Sequence, residues 1–261
     1  MALLSFLKAL MAALFTTFSF LKALINKKEL YATGQAGDGR EKAMLAHVIR
    51  TAEKGNPLSV LNVMDAYAKT SGWLMNIGDD KGPILDQALD KYNPRVVIEL
   101  GTFCGYSAVR IASQLHKEGS KLITFEMSPD NYNIARQIIE HAGLSSKVVS
   151  VQGKFNERLD VAKQFLKEMN TSHFDFVFID HWVHSYMPDY LLLKENEMLG
   201  KGTGVIADNM GAFIGPADFR KYVKTHPEEL ETVEYKSNAE YLWWFPDSIT
   251  VSTFQPSTRF Y

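Results

Sequence analysis

Between residues 95 and 225 the chain alternates short apolar runs with segments of helical period, and this alternation constrains its fold more than any other feature. Strands are expected at 95–100, 121–126, 148–153, 174–180 and 203–207. Helices are expected at 106–117, 129–142, 157–169, about 186–198 and 216–225. Parallel strands cannot be joined by tight turns, so five successive βα units predict an α/β fold with a mostly parallel sheet and helices on both faces. Pro129, after Ser128, and Pro216 stand where helix starts tolerate proline. Segments 229–236 and 248–255 alternate with period two and read as closing strands, joined through the apolar patch from Tyr241 to Phe245. Helical patterns at 41–53 and 57–70 precede the first strand.

No shift in composition divides residues 41–261, which are expected to form one domain, preceded by an apolar helix at 1–28 and a polar linker at 29–40. The formal charge of -2, with no basic cluster beyond Lys27 and Lys28, gives no footprint for nucleic acid and favours small-molecule chemistry. Cys104 is the single cysteine, so no internal disulfide forms, and it reads as a small buried side chain.

Residues 1–28 are apolar but interrupted by Lys8 and Lys22. At about 100° per residue, Lys8, Ser19, Lys22 and Asn26 share one azimuth with Ser5, Ala12 and Thr16 beside them, which makes a helix with a narrow polar stripe. The expectation is membrane association, either in the interface or spanning with both lysines snorkelling from an apolar segment of about 21 Å. A cleaved signal and a helix packed on protein are the alternatives. Lysines following the apolar run place the catalytic domain on the cytosolic side; a secreted or soluble cytoplasmic protein is the other outcome.

In open α/β sheets ligands bind beyond the carboxyl ends of the strands, so the residues that follow each strand are read together. Strand 95–100 runs into ELGTFCGYS, where Gly101 and Gly105 allow close backbone approach and Ser107 sits at a helix start able to receive an anion. Glu99 precedes this turn, and Glu126, at the end of the next strand, is placed to hold the two hydroxyls of a ribose. The later strands deliver Asp180, His181 and Trp182, then Asp208 and Asn209. Two carboxylates and an amide oxygen are hard ligands suited to Mg²⁺. The glycine spacing is not that of a dinucleotide fingerprint, which disfavours an NAD-linked oxidoreductase.

An acid before the glycines and another after the second strand resemble the S-adenosylmethionine (SAM) pattern of class I methyltransferases. Beyond that turn, GWLMNIGDDKG (72–82), ITFEMSPD (123–130), FIDHW (178–182), LLLKENEML (191–199), ADN (207–209) and AEY (239–241) resemble the catechol O-methyltransferase family across roughly 41–255. The resemblance implies a Rossmann-like fold, a seven-stranded sheet with one antiparallel strand. It implies Mg²⁺-dependent methyl transfer from SAM to a diphenol, with catecholamine metabolism as its setting. Asp180, Asp208 and Asn209 would hold Mg²⁺, and Glu126, with Met127 beside it, would bind the ribose. Asn76, Ile77, Glu99, Gly101, Tyr106 and Ser107 would surround the methionine part of SAM, with His181 and Trp182 at the adenine. Glu240 would bond a ring hydroxyl, and Trp73, Met75 and Trp182 would grip the ring.

The chain departs from that family at three places. Val183 stands where the family has a lysine base, which leaves His184 as the candidate to take the proton. Phe155 and Asn156 replace a Ser-Gln pair near the adenine, Asn156 remaining a candidate cofactor contact. Phe213 or Ile214 takes the place of a proline wall of the slot, and Ala239 reshapes the pocket before Glu240. The missing base also raises a second reading, a catalytically weakened binding or trafficking protein on the same scaffold. The oligomeric state is left open.

Overall fold

The structure is a computed structural model and describes residues 2–213 and 215–256. In chain order its elements are α1 (Ala2–Ile25), α2 (Lys27–Thr33), α3 (Arg40–Thr51), α4 (Pro57–Thr70), α5 (Gly78–Tyr92), β1 (Val96–Leu100), α6 (Tyr106–Ser113), β2 (Lys121–Glu126), α7 (Pro129–His141) and β3 (Val148–Gln152). They continue with α8 (Leu159–Glu168), β4 (Phe174–Ile179), α9 (Tyr186–Glu195), β5 (Leu199–Ala207), α10 (Ala217–Thr225), β6 (Leu230–Asn238) and β7 (Pro246–Phe254). Single 3₁₀ turns lie at Phe155–Glu157 and Val183–Ser185.

The sheet has seven strands in the order β3-β2-β1-β4-β5-β7-β6, and β7 runs antiparallel to both of its neighbours. Strand order reverses between β1 and β4, so the crevice beyond their carboxyl ends is the expected ligand site. β1 is buried at all five positions because helices cover both of its faces. Met44, Val60, Leu85, Val109 and Ile138 pack on one face beneath α3 to α7. Phe165, Tyr190, Leu193 and Phe219 fill the other beneath α8 to α10.

Two segments differ from the sequence expectation. Residues 29–33 of the expected linker are helical, as part of α2, and α5 occupies a stretch for which the sequence pattern predicts no element. α5 forms because Leu85, Ala88 and Leu89 bury on one face while Asp79 and Asp80 complement the first-turn dipole.

α1 takes the third of its expected arrangements and packs on protein. It lies against α4 and buries Thr16 and Ser19 of the expected polar stripe together with Ala23, whereas Lys22 and Asn26 of that stripe are exposed. Among the described residues no helix is long and apolar enough to cross a membrane, so the spanning expectation finds no support.

Candidate active site

The glycine turn after β1 fits the carboxyl edge of the sheet closely. Gly101 has φ +97°, and a Cβ there would meet the backbone oxygen of Asp180 at 2.2 Å, so only glycine lets the turn cross the end of β4. Glu126 fixes the turn by accepting the Phe103 amide at 2.7 Å and the Ser128 amide at 2.8 Å. Glu99 accepts the Thr124 hydroxyl at 2.5 Å through Oε2, while its Oε1 has no hydrogen bond. Burial pushes both carboxyls up to about 7.

That shift makes the stability of the cofactor-free protein depend on pH. Between the ordinary carboxyl value of 4.5 and about 7 the folded state holds protons that the unfolded chain has lost, so stability falls as pH rises through this window. One such group costs the fold on the order of 3 kcal/mol once ionised. The melting temperature of the cofactor-free protein is expected to drop from about pH 5 to about pH 8, with a shallower drop in Glu99→Gln. A slope identical in parent and variant would refute the assignment to Glu99.

Other expected cofactor contacts are placed unevenly. Asn76 and Ile77 open α5 beside the turn; Asn76 donates to the Tyr241 hydroxyl at 3.3 Å and leaves its Oδ1 without a partner. Ser107 is buried at the start of α6, where its hydroxyl opposes the upward push of burial on the Glu99 carboxyl. Tyr106 is also buried, but its phenol turns to Asp65 on α4 at 3.0 Å, so its backbone alone faces the turn. His181 stacks on Tyr186 at 5.2 Å and bonds Asp189 at 2.8 Å through Nε2, leaving Nδ1 without a partner. Met127, Asn156 and Trp182 are exposed, whereas Phe155 sits in the core edge-on to Phe125.

At the ends of β4 and β5, burial and then the Asp208 charge push the Asp180 carboxyl well up, while burial, Glu240 and Asp247 push Asp208 up to about 7 against the lowering effect of Lys81. Asp208 is wholly shielded from water, with its Oδ1 paired to one ammonium and its Oδ2 without a hydrogen bond. The ammonium of Lys81 on α5, equally shielded, lies 2.7 Å from Asp208, 3.1 Å from Glu240 and 2.7 Å from Asp247. Lys81 was not among the residues expected from sequence. Asn209, at φ 51°, donates its amide to Glu240 at 2.7 Å and to Asp247 at 3.2 Å, which leaves its Oδ1 available. One ammonium against four carboxyls leaves negative charge for a further cation, and the unbonded Oδ2 of Asp208 with the Asn209 oxygen offers it hard donors. Among the described residues no three His, Cys, Asp or Glu side chains gather to hold a metal, so an ion here depends on that amide.

Of the residues expected at the substrate slot, Trp73 and Met75 pack together near Glu240, and Trp182 lies outside their cluster. Trp73, Met75, Ala239, Tyr241, Leu242 and Phe245 cluster together. Trp73 Nε1 donates to the Glu240 carbonyl at 2.7 Å, which ties one wall to the loop that carries the acid. Phe213 is exposed and lies 6.3 Å from Phe245; Ile214 is outside the described residues. Val183 packs against the core, while His184 is exposed with its ring 5.2 Å from that of Trp182.

Comparison with known proteins agrees with this geometry. The O-methyltransferase family matches residues 51–224. Mouse catechol O-methyltransferase is 41% identical over 206 residues, which cover 79% of this chain and 76% of that enzyme. A probable O-methyltransferase of Mycobacterium tuberculosis is 34% identical over 231 residues, covering 87% and 97%. Among solved structures, the Bacillus cereus O-methyltransferase in complex with SAH aligns with a TM-score of 0.59 at 22% identity, covering 76% and 90%. The chain therefore belongs to the O-methyltransferase family, and it is a SAM-dependent O-methyltransferase.

Proposed function

We propose that this enzyme transfers the methyl group of SAM to one hydroxyl of a catechol or related vicinal diphenol, assisted by Mg²⁺. The observation that carries the reading is a shielded cluster in which Asp180, Asp208, Glu240 and Asp247 share the single ammonium of Lys81, with Asp208 Oδ2 unbonded next to Asn209. Relatives named catechol O-methyltransferase, 39% to 41% identical, support the substrate class. Asp180, Asp208 and Asn209 would hold Mg²⁺, which when bound lowers the pKa of a substrate hydroxyl and fixes its position.

The remaining work belongs to the chain's own side chains. Glu240, held by Lys81 and Asn209, accepts a hydrogen bond from a ring hydroxyl. Trp73 and Met75 flank a flat ring and keep water from the methyl group. Transfer forms a C–O bond as the C–S bond breaks, sulfur leaves as a neutral thioether, and the hydroxyl proton needs an acceptor. Val183 cannot take it, so His184 beside Trp182 is assigned this role.

Incubation with SAM, magnesium and catechol, read as methylated product, tests the proposal. Tight SAM binding without methylation of any diphenol would favour the alternative, a binding or trafficking protein, for which Val183 is the motivating residue. His184→Ala is expected to slow turnover about 100-fold, in the range of general-base effects, and Val183→Lys to restore it in that background. An unchanged rate in His184→Ala removes the histidine from the mechanism.

A further inference from the structure

We propose that Asp65 on α4 is a positioning residue for methyl transfer: its two carboxylate oxygens hold the phenols of Tyr241 and Tyr106 and so fix Glu240 relative to the cofactor turn. The inference rests on the reading of Glu240 as the group that takes a hydroxyl of the acceptor. The Tyr241 phenol donates to Asp65 Oδ1 at 2.7 Å, and the Tyr106 phenol donates to Oδ2 at 3.0 Å. Tyr241 directly follows Glu240 in the chain, while Tyr106 opens α6 directly after the glycine turn. One carboxylate therefore connects the acceptor end of the site to the cofactor end.

The backbone of Tyr241 shows why such a tie is needed. Its φ of 58° lies in the left-handed region, which is unfavourable for a bulky side chain and persists only where surrounding contacts over-determine it. The phenol supplies two of those contacts, because besides donating to Asp65 it accepts the Asn76 amide at 3.3 Å. The ring supplies others: a Cβ on Gly78 would meet it at 3.4 Å, and the Lys69 ammonium lies 5.9 Å from its centre. Around it the loop is closed by backbone bonds from Ala239 to the Phe245 carbonyl at 2.8 Å and from Leu242 to the Ala239 carbonyl at 2.9 Å. Glu240 lies inside this closed loop, so the direction of its backbone follows from the conformation held at Tyr241.

The other end of the tie is anchored independently. Tyr106 accepts Arg110 Nη1 at 3.2 Å, and Arg110 is clamped by Asp86 through two bonds of 2.7 and 2.5 Å. With α6 fixed in this way, the Tyr241 loop is the partner that the carboxylate positions. Burial pushes the Asp65 carboxyl up, and the two phenol bonds oppose that push, as expected of an ionised group accepting from both sides. The bond to Tyr241 also sets the side chain of Asn76, one of the expected cofactor contacts.

Initial rates with catechol at saturating SAM and magnesium, with SAM binding followed by calorimetry, test the proposal. Asp65→Asn keeps the volume of the side chain but sets an amide against one phenol. Its KM for catechol should rise about tenfold, the scale of one lost hydrogen bond, while SAM affinity stays within about threefold of the parent. Tyr241→Phe removes the same tie from its other end, and it carries the test should Asp65→Asn fail to fold. The double variant should be no worse than either single one, and neither change should raise KM further in a Glu240→Gln background. A merely structural role would lower the active fraction, and with it kcat, and would leave KM alone. Glu240→Gln with a raised KM beside Asp65→Asn and Tyr241→Phe with the parent's KM would overturn the proposal, as would effects that add in full to that of Glu240→Gln. A Glu240→Gln variant with the parent's KM, or a parent that leaves catechol unmethylated, removes the reading of Glu240 and this inference with it.

Discussion

Asp208→Asn is expected to lower kcat about 1000-fold and to abolish any response to added magnesium, while leaving the melting temperature within a few degrees of the parent. The first part follows from electrostatics. Asp208 is fully shielded, lies beside Asp180 and shares the one Lys81 ammonium with Glu240 and Asp247, so the cluster's negative charge is costly unless a further cation uses it. Stabilisation of developing oxyanion charge by a bound ion is worth several kcal/mol, and about 4 kcal/mol corresponds to a factor near 1000. The second part follows from the same burial. A carboxyl already pushed up to about 7 is neutralised cheaply, so the amide relieves repulsion with Asp180 while it costs Lys81 one partner. Initial rates over a magnesium titration, with melting curves alongside, check both. A variant as fast as the parent at saturating magnesium would refute the metal reading of this centre.

The carboxyl-edge residues were legible in sequence for a topological reason. Parallel strands all end on one edge, so Glu99, Glu126, Asp180 and Asp208 could be gathered from the strand pattern alone, and the structure places them there. Lys81 could not be found that way. It belongs to α5, whose Gly82 and Pro83 disguise the helix, and its three carboxylate partners come from segments more than 100 residues away. A lysine in GDDKG reads as solvated until the helix is recognised; its i+4 and i+7 neighbours, Leu85 and Ala88, mark a buried face and are the signal that was available. Tyr106 shows the reverse error, since a residue in the right turn sends its phenol to Asp65 instead. For α1 the azimuths of the polar stripe were readable, but hydropathy does not say which face the domain will take. Ser19 and Thr16 turned inward because Trp73 and Arg40 offer hydrogen bonds to Ser19.

Lys81→Met should be the most destabilising single change in the site. Methionine matches the length of the side chain, so packing is nearly conserved and the change isolates the charge. Burial alone would drive the ammonium's pKa down, but Asp208, Glu240 and Asp247 hold it well above the ordinary lysine range, so the group is a cation in the fold. Removing one partner from a buried ionic cluster typically costs about 3 to 5 kcal/mol. For a domain of this size that corresponds to roughly 6 to 15 °C in melting temperature. Asp247 would also loosen, and with it the loop after β5, because its Oδ1 accepts the Gly211 amide at 2.9 Å while Oδ2 takes Lys81. Two further readouts separate this charge effect from a packing defect. The carboxyls left behind take up protons more readily than in the parent, so the gap in melting temperature should narrow as pH falls. Added magnesium should stabilise the variant more than the parent, since the ion would then be the cation nearest those carboxyls. A gap that ignores both pH and magnesium would mean that the ammonium fills space and does not balance charge.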